Sequence, residues 1–166
     1  MDIKNLTESE QQDFYRLLKK MDGQETDKKQ DAKVKKPEKG DTYFFIEVSG
    51  NITKSMWTNG LLDRKRWELG NIFFTEDEAE FAREKKKVEV ELQRYAEEHN
   101  NPILKDNYYI LYDEDDEELD FDVWVSSRVQ GTVVFTSKQL VFDAIEAVGK
   151  DRILKYIFNV DCEGMK

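Results

Sequence analysis

The sequence predicts an α+β fold: an internal pseudo-repeat of β-β-β-α units, antiparallel sheets packed with a long central helix, plus an N-terminal helix on a flexible linker. Three observations predict it. The first is a recurring string. Gly70-Asn71-Ile72-Phe73-Phe74-Thr75 reads as a glycine turn, an apolar strand and a helix start, and Gly131-Thr132-Val133-Val134-Phe135-Thr136 repeats it. Thr75 with Glu78, and Thr136 with Gln139, have the spacing of a capping box, and Phe81 and Phe142 follow at the same offset. The second is an aromatic strand before each copy, Thr42–Val48 and Asn107–Tyr112. The third is size. A three-stranded sheet with one helix cannot hide both sheet faces, so each unit is expected to bury the other's open face. The expected organisation is an N-terminal helix over 1–21, a linker over 22–41, and the two units over 42–105 and 106–166.

Each element has its own reason. Thr7 with Glu10 starts the first helix, and Phe14, Leu17, Leu18 and Met21 form its apolar stripe. Residues 22–41 carry Gly23, Pro37, Gly40 and many Lys and Asp, with too little apolar surface to order themselves. Thr42–Val48 is a buried strand. After Ser49-Gly50-Asn51, Ile52–Trp57 returns as a hairpin partner with Ile52 and Met56 facing inward. Leu61–Leu69 is a short helical or irregular crossing. Residues 76–98 form the longest helix, with Phe81, Val88, Leu92, Tyr95 and Ala96 on one face. Glu80–Arg83, Glu84–Lys87, Lys85–Glu89 and Lys87–Glu91 brace it at helical spacing. In the second half, Leu119–Val125 alternates apolar and polar residues, as a strand with one wet face does. Ser137–Val148 is a helix ended by Gly149, and Asp151–Phe158 a last helix or strand closing the core.

Charged residues make up 37% of the 166 and the formal net charge is −10, so long-range repulsion disfavours direct nucleic-acid binding. The single cysteine, Cys162, excludes an intrachain disulfide and a multi-cysteine zinc site. Met1-Asp2-Ile3-Lys4 lacks the regions of a signal peptide, and no apolar run reaches membrane-spanning length, so the expected location is the cytoplasm. The one histidine, His99, sits at a helix end, where a structural role is expected. No phosphate loop, nucleophile elbow or metal-ligand spacing is present, so no enzyme, cofactor or metal is expected.

Two surface constellations remain. Asp113, Glu114, Asp115, Asp116, Glu117 and Glu118, continued by Asp120 and Asp122, form an acidic cluster at and beyond a hairpin tip. Its readings are a solvated loop, a calcium site whose spacing fails the EF-hand pattern, or a negative surface that mimics a phosphate backbone and occupies a basic groove. Arg64, Lys65 and Arg66, bracketed by Trp57 and Trp67, are the alternative: a patch that pairs phosphates and stacks bases, against a reading of both Trp as core.

The strings Tyr43-Phe44-Phe45-Ile46, Gly70–Ala82 and Gly131–Thr136 with Ala144–Ile153 resemble small proteins encoded by phages and prophages of Gram-positive bacteria, over roughly residues 38–160. The resemblance supplies no catalytic residues. It implies an accessory role during infection, through binding a host or phage protein. The expectation is therefore an acidic accessory protein that binds a host or phage protein with a basic surface, in its most specific form an inhibitor of a nucleic-acid-directed defence system such as an RNA-guided nuclease. A replication or recombination accessory using Trp57, Arg64, Lys65 and Arg66 is the alternative. A structural or self-associating module, including a homodimer, would use Phe14, Leu17 and Leu18.

Overall fold

The computed structural model describes residues 35–103, 106–124 and 131–160. The chain divides into two compact units, Met1–Pro37 and Glu38–Lys166. The helix expected over 1–21 and most of the linker lie outside the described residues.

The unit Glu38–Lys166 is α+β. Its described elements are β1 (Thr42–Ile46), β2 (Ile52–Met56), α1 (Leu61–Glu68), α2 (Glu76–His99), β3 (Asn107–Asp113), β4 (Glu118–Trp124), α3 (Lys138–Val148) and α4 (Lys150–Ile157). They make two separate two-stranded sheets, both antiparallel. β1 and β2 run in register from Thr42↔Met56 to Ile46↔Ile52. β3 and β4 run from Asn107↔Trp124 to Asp113↔Glu118.

The third strand expected in each half is not a strand. Phe73 makes one antiparallel bridge to Phe44, and Phe135 makes one to Tyr108. In the first half the ladder stops because a side chain replaces the next backbone pair: Asn71 Oδ1 accepts from Ile46 N–H, and Asn71 Nδ2 donates to the Ile46 carbonyl, both at 2.8 Å. Phe74, expected inside, is exposed. Met56 is also exposed, because Tyr43, Phe45 and Trp57 form the buried cluster of that hairpin, with Trp67 and Ile72 against it.

α2 starts as its sequence requires. Thr75 Oγ1 accepts from Glu78 N–H, and Glu78 reaches back to the N–H groups of Thr75 and Phe74. Thr75→Ala is expected to cost about 1 kcal/mol, read from urea unfolding. The second box does not form. α3 is capped by Ser137, one residue later than the repeated string implies, with its hydroxyl accepting from Leu140 N–H. Thr136 serves the preceding loop instead: its hydroxyl accepts from Asn101 N–H, and its N–H donates to Asn100 Oδ1.

α2 is long because one face is apolar and the rest is charged. Ala79, Val88, Leu92 and Ala96 are buried. Glu80–Arg83 and Glu84–Lys87 pair as expected, but Glu89 pairs with Lys86, and Glu91 is held by Arg152 from α4 at 2.6 and 2.9 Å. The Arg152 hydrogen bonds hold the Glu91 carboxyl below its usual range against the upward push of burial. α2 packs on α3, α4, β1 and β2, and α3 packs on β3. The main core joins Val88, Leu92 and Ala96 to Leu119, Phe135, Val141, Ala144, Ile145, Val148, Ile153 and Leu154. Gly149 links α3 to α4 at φ 103°, a conformation that favours glycine, so the two helices follow one another without a loop.

Candidate protein-binding surface

Strand alternation sorts the β3–β4 hairpin into two faces. Tyr108, Ile110, Tyr112, Leu119 and Phe121 belong to the main core. Tyr109, Leu111 and Asp113 alternate with them on β3, opposite Asp122, Asp120 and Glu118 respectively. Glu118, Asp120 and Asp122 are all exposed.

The acidic residues do different jobs. Asp113 organises the tip: its Oδ1 accepts from Asp115 N–H at 2.9 Å and from Asp116 N–H at 3.3 Å. Glu117 completes the turn in the left-handed region at φ 54°. Asp122 accepts from the Tyr109 hydroxyl at 3.0 Å and from its neighbour Val123 N–H. Burial, then the hydrogen bond to Asp122, push the Tyr109 phenol above its usual range, so it stays a donor at neutral pH. Glu114, Asp115 and Asp116 project from the exposed tip. Among the described residues no group of His, Cys, Asp and Glu has the geometry to hold a metal ion. The expected acidic residues thus share one hairpin, but only Glu118, Asp120 and Asp122 stand in a regular row.

The basic-aromatic alternative is not assembled as expected. Trp57 is buried, edge-on to Tyr43, and offers no stacking face. Arg66 lies 3.4 Å above the Phe45 ring and donates to the Tyr43 hydroxyl at 2.7 Å, so its guanidinium is spent inside the fold. Lys65 pairs with Glu68. Arg64 is exposed, and Trp67 packs on the small core cluster.

Comparisons with protein-family models, with curated proteins and with solved structures returned no match. Among the described residues, no helix is long and apolar enough to cross a membrane.

Sequence reasoning missed Asp63. It lies at the third position of α1, buried, and accepts from the Tyr43 hydroxyl, Thr58 N–H, the Thr58 hydroxyl and Gly60 N–H. Gly60 followed three residues later by Asp63 was the available signal, since an acid at that position reaches back to the helix start. Asn100 was also missed. Its amide donates to the Val134 carbonyl and accepts from Thr136 N–H, tying the end of α2 to the start of α3. His99 serves the same helix end, with its ring stacked on Tyr95 and its Nδ1 at 2.9 Å from the Tyr95 carbonyl.

Proposed function

We propose that this chain is a non-enzymatic, acidic phage or prophage accessory protein that binds a basic protein surface through the β3–β4 hairpin, as an inhibitor of a nucleic-acid-directed host system. One observation carries the reading: Glu118, Asp120 and Asp122 stand exposed in a row on a paired strand. Alternate residues of a strand lie about 6.8 Å apart. The row therefore presents negative charge at regular intervals, as a phosphate backbone does. The backbone of the row is paired along β3, and Asp122 is tethered by Tyr109. Preordered charge loses little entropy on binding. The reading places the protein in the host cytoplasm.

The order of elements in the two halves adds to this reading. In each half a hairpin is followed by one bridge residue, and the helix cap lies two positions on: Phe73 then Thr75, Phe135 then Ser137. We take this order as two copies of a β-β-β-α unit in which the third strand has shrunk to a single bridge. One copy has gained the acidic hairpin tip.

The test is a pull-down of the full chain from host lysate at low and high salt, with competition by duplex DNA. Replacing Glu118, Asp120 and Asp122 with Gln, Asn and Asn is expected to weaken capture of the basic partner by about tenfold or more and to flatten its salt dependence. Equal capture by the neutralised chain would remove the proposal.

A further inference from the structure

A contact that closes the outer edge of the first hairpin has no counterpart on the second among the described residues. Tyr108 exchanges both backbone hydrogen bonds with Phe135, so its N–H and carbonyl point away from β4. Alternation then sends the N–H and carbonyl of Ile110 to the same outer edge of β3. Phe44 and Ile46 stand in the same relation on β1, where Phe44 exchanges both bonds with Phe73. The edge groups of Ile46 are closed by the carboxamide of Asn71, two residues before its bridge. The residue two before Phe135 is Val133, which has no amide side chain. Among the described residues nothing hydrogen-bonds the outer N–H and carbonyl of Ile110.

A cavity of about 510 Å³ opens at this point, lined by Ile110, Val133, Leu92, Ile153, Ile157 and Phe158 among others. That volume is in the range of ligand-binding pockets, and these apolar walls stand alongside Lys85, Glu89 and Thr132. An unpaired strand edge beside an apolar slot is the arrangement used to capture an extended peptide.

We propose that the slot between β3 and Gly131–Val133 receives an extended peptide segment of the partner protein, whose backbone amide does for Ile110 what Asn71 does for Ile46. Its side-chain pattern follows from the two faces of β3. The residue opposite Ile110 points into the cavity and is apolar. Its neighbours lie on the side of Tyr109 and Leu111, with Asp120 and Asp122 one strand further on. Lys or Arg there reaches across β3 to those carboxylates. The segment thus alternates basic and apolar residues. This deepens the acidic-hairpin reading and rests on it for the basic positions only.

The test uses the full chain and a capped Lys-Val-Lys-Val-Lys peptide, followed by amide NMR and hydrogen exchange. Titration is expected to shift the Ile110 amide and slow its exchange. N-methylating the peptide's central residue, and separately its two valines, keeps the charges but removes one donor at a time. The methylation that meets the Ile110 carbonyl is expected to weaken binding about tenfold. Val133→Asn, which offers a carboxamide where Asn71 has one, is expected to protect Ile110 without peptide and to block the slot while leaving Asp120 and Asp122 in place. Shifts confined to the acidic tip and β4, with Ile110 unprotected, would overturn the slot and leave the acidic surface standing. Absence of any binding would overturn both.

Discussion

Asp63→Asn is expected to cost about 3 kcal/mol of stability, seen as a lower urea midpoint at unchanged slope. The carboxylate is buried and takes four hydrogen bonds, at 2.7 Å from Tyr43, 2.8 and 2.7 Å from Thr58 and 3.1 Å from Gly60. An asparagine turns one acceptor oxygen into an NH₂ group, which faces donors and leaves them unsatisfied. The damage spreads, because the Tyr43 hydroxyl also accepts from Arg66, and Arg66 covers Phe45. The small core of Tyr43, Phe45 and Trp57 therefore depends on one charge.

The same residue sets a pH dependence. Burial pushes the Asp63 carboxyl up, but the hydrogen bonds from Tyr43, Thr58 and Gly60 together outweigh it and hold the group far below the usual carboxylate range. A depressed folded-state value means that the stabilisation is complete above the unfolded value, about 4, and is lost as pH falls below it. Stability measured between neutral pH and pH about 3 should therefore fall less in Asp63→Asn than in the parent chain. A parallel fall in both would show that Asp63 does not titrate anomalously.

Phe135→Ala is expected to cost about 3–5 kcal/mol, whereas Phe74→Ala costs under about 0.5 kcal/mol. The repeated strings put these two phenylalanines in equivalent places, each just before the threonine. The structure separates them. Phe135 is 0% exposed, joins the main core and bridges Tyr108, while Phe74 is 45% exposed. Truncating Phe135 leaves a cavity within the core cluster that also holds Val141, Ala144 and Ile153, and close-packed helices do not collapse freely into it. Similar thermal shifts for the two variants would contradict the observed burial.

The contrast between Phe74 and Phe135 shows how far the sequence could be read. Local signals were legible where one short stretch carries the whole cause. Thr75 and Glu78 cap α2 because both partners lie in the same turn. Val88, Leu92 and Ala96 were identifiable as core because helical periodicity puts them on one stripe. The alternation in β4 showed that Asp120 and Asp122 face water. The shift of the cap from Thr136 to Ser137 was not legible, since either hydroxyl suits the role. The choice fell to Asn100 and Asn101, which claim Thr136 from more than thirty positions away.

The placement of the basic-aromatic residues also turned on distant partners. Trp57, Arg64, Lys65 and Arg66 are neighbours in the chain, but Trp57 packs on Tyr43 and Arg66 on Phe45, both from β1. Nothing in the order of residues says which face of a short helix meets which strand.

What the amino-acid order determined unaided was the class of fold, the two hairpins, the length and buried face of α2, and an acidic row pointing to solvent. These follow from periodicity, capping and turn chemistry, which act within a few residues. Only the tertiary structure decided that Phe73 and Phe135 make one bridge each where a third strand was expected, that Asp63 anchors the small core, and that Asn71 closes the edge at Ile46 while, among the described residues, nothing closes the edge at Ile110. Those outcomes depend on which distant groups arrive within 3 Å of each other, and hydrogen bonding at that range carries no periodic trace in the chain.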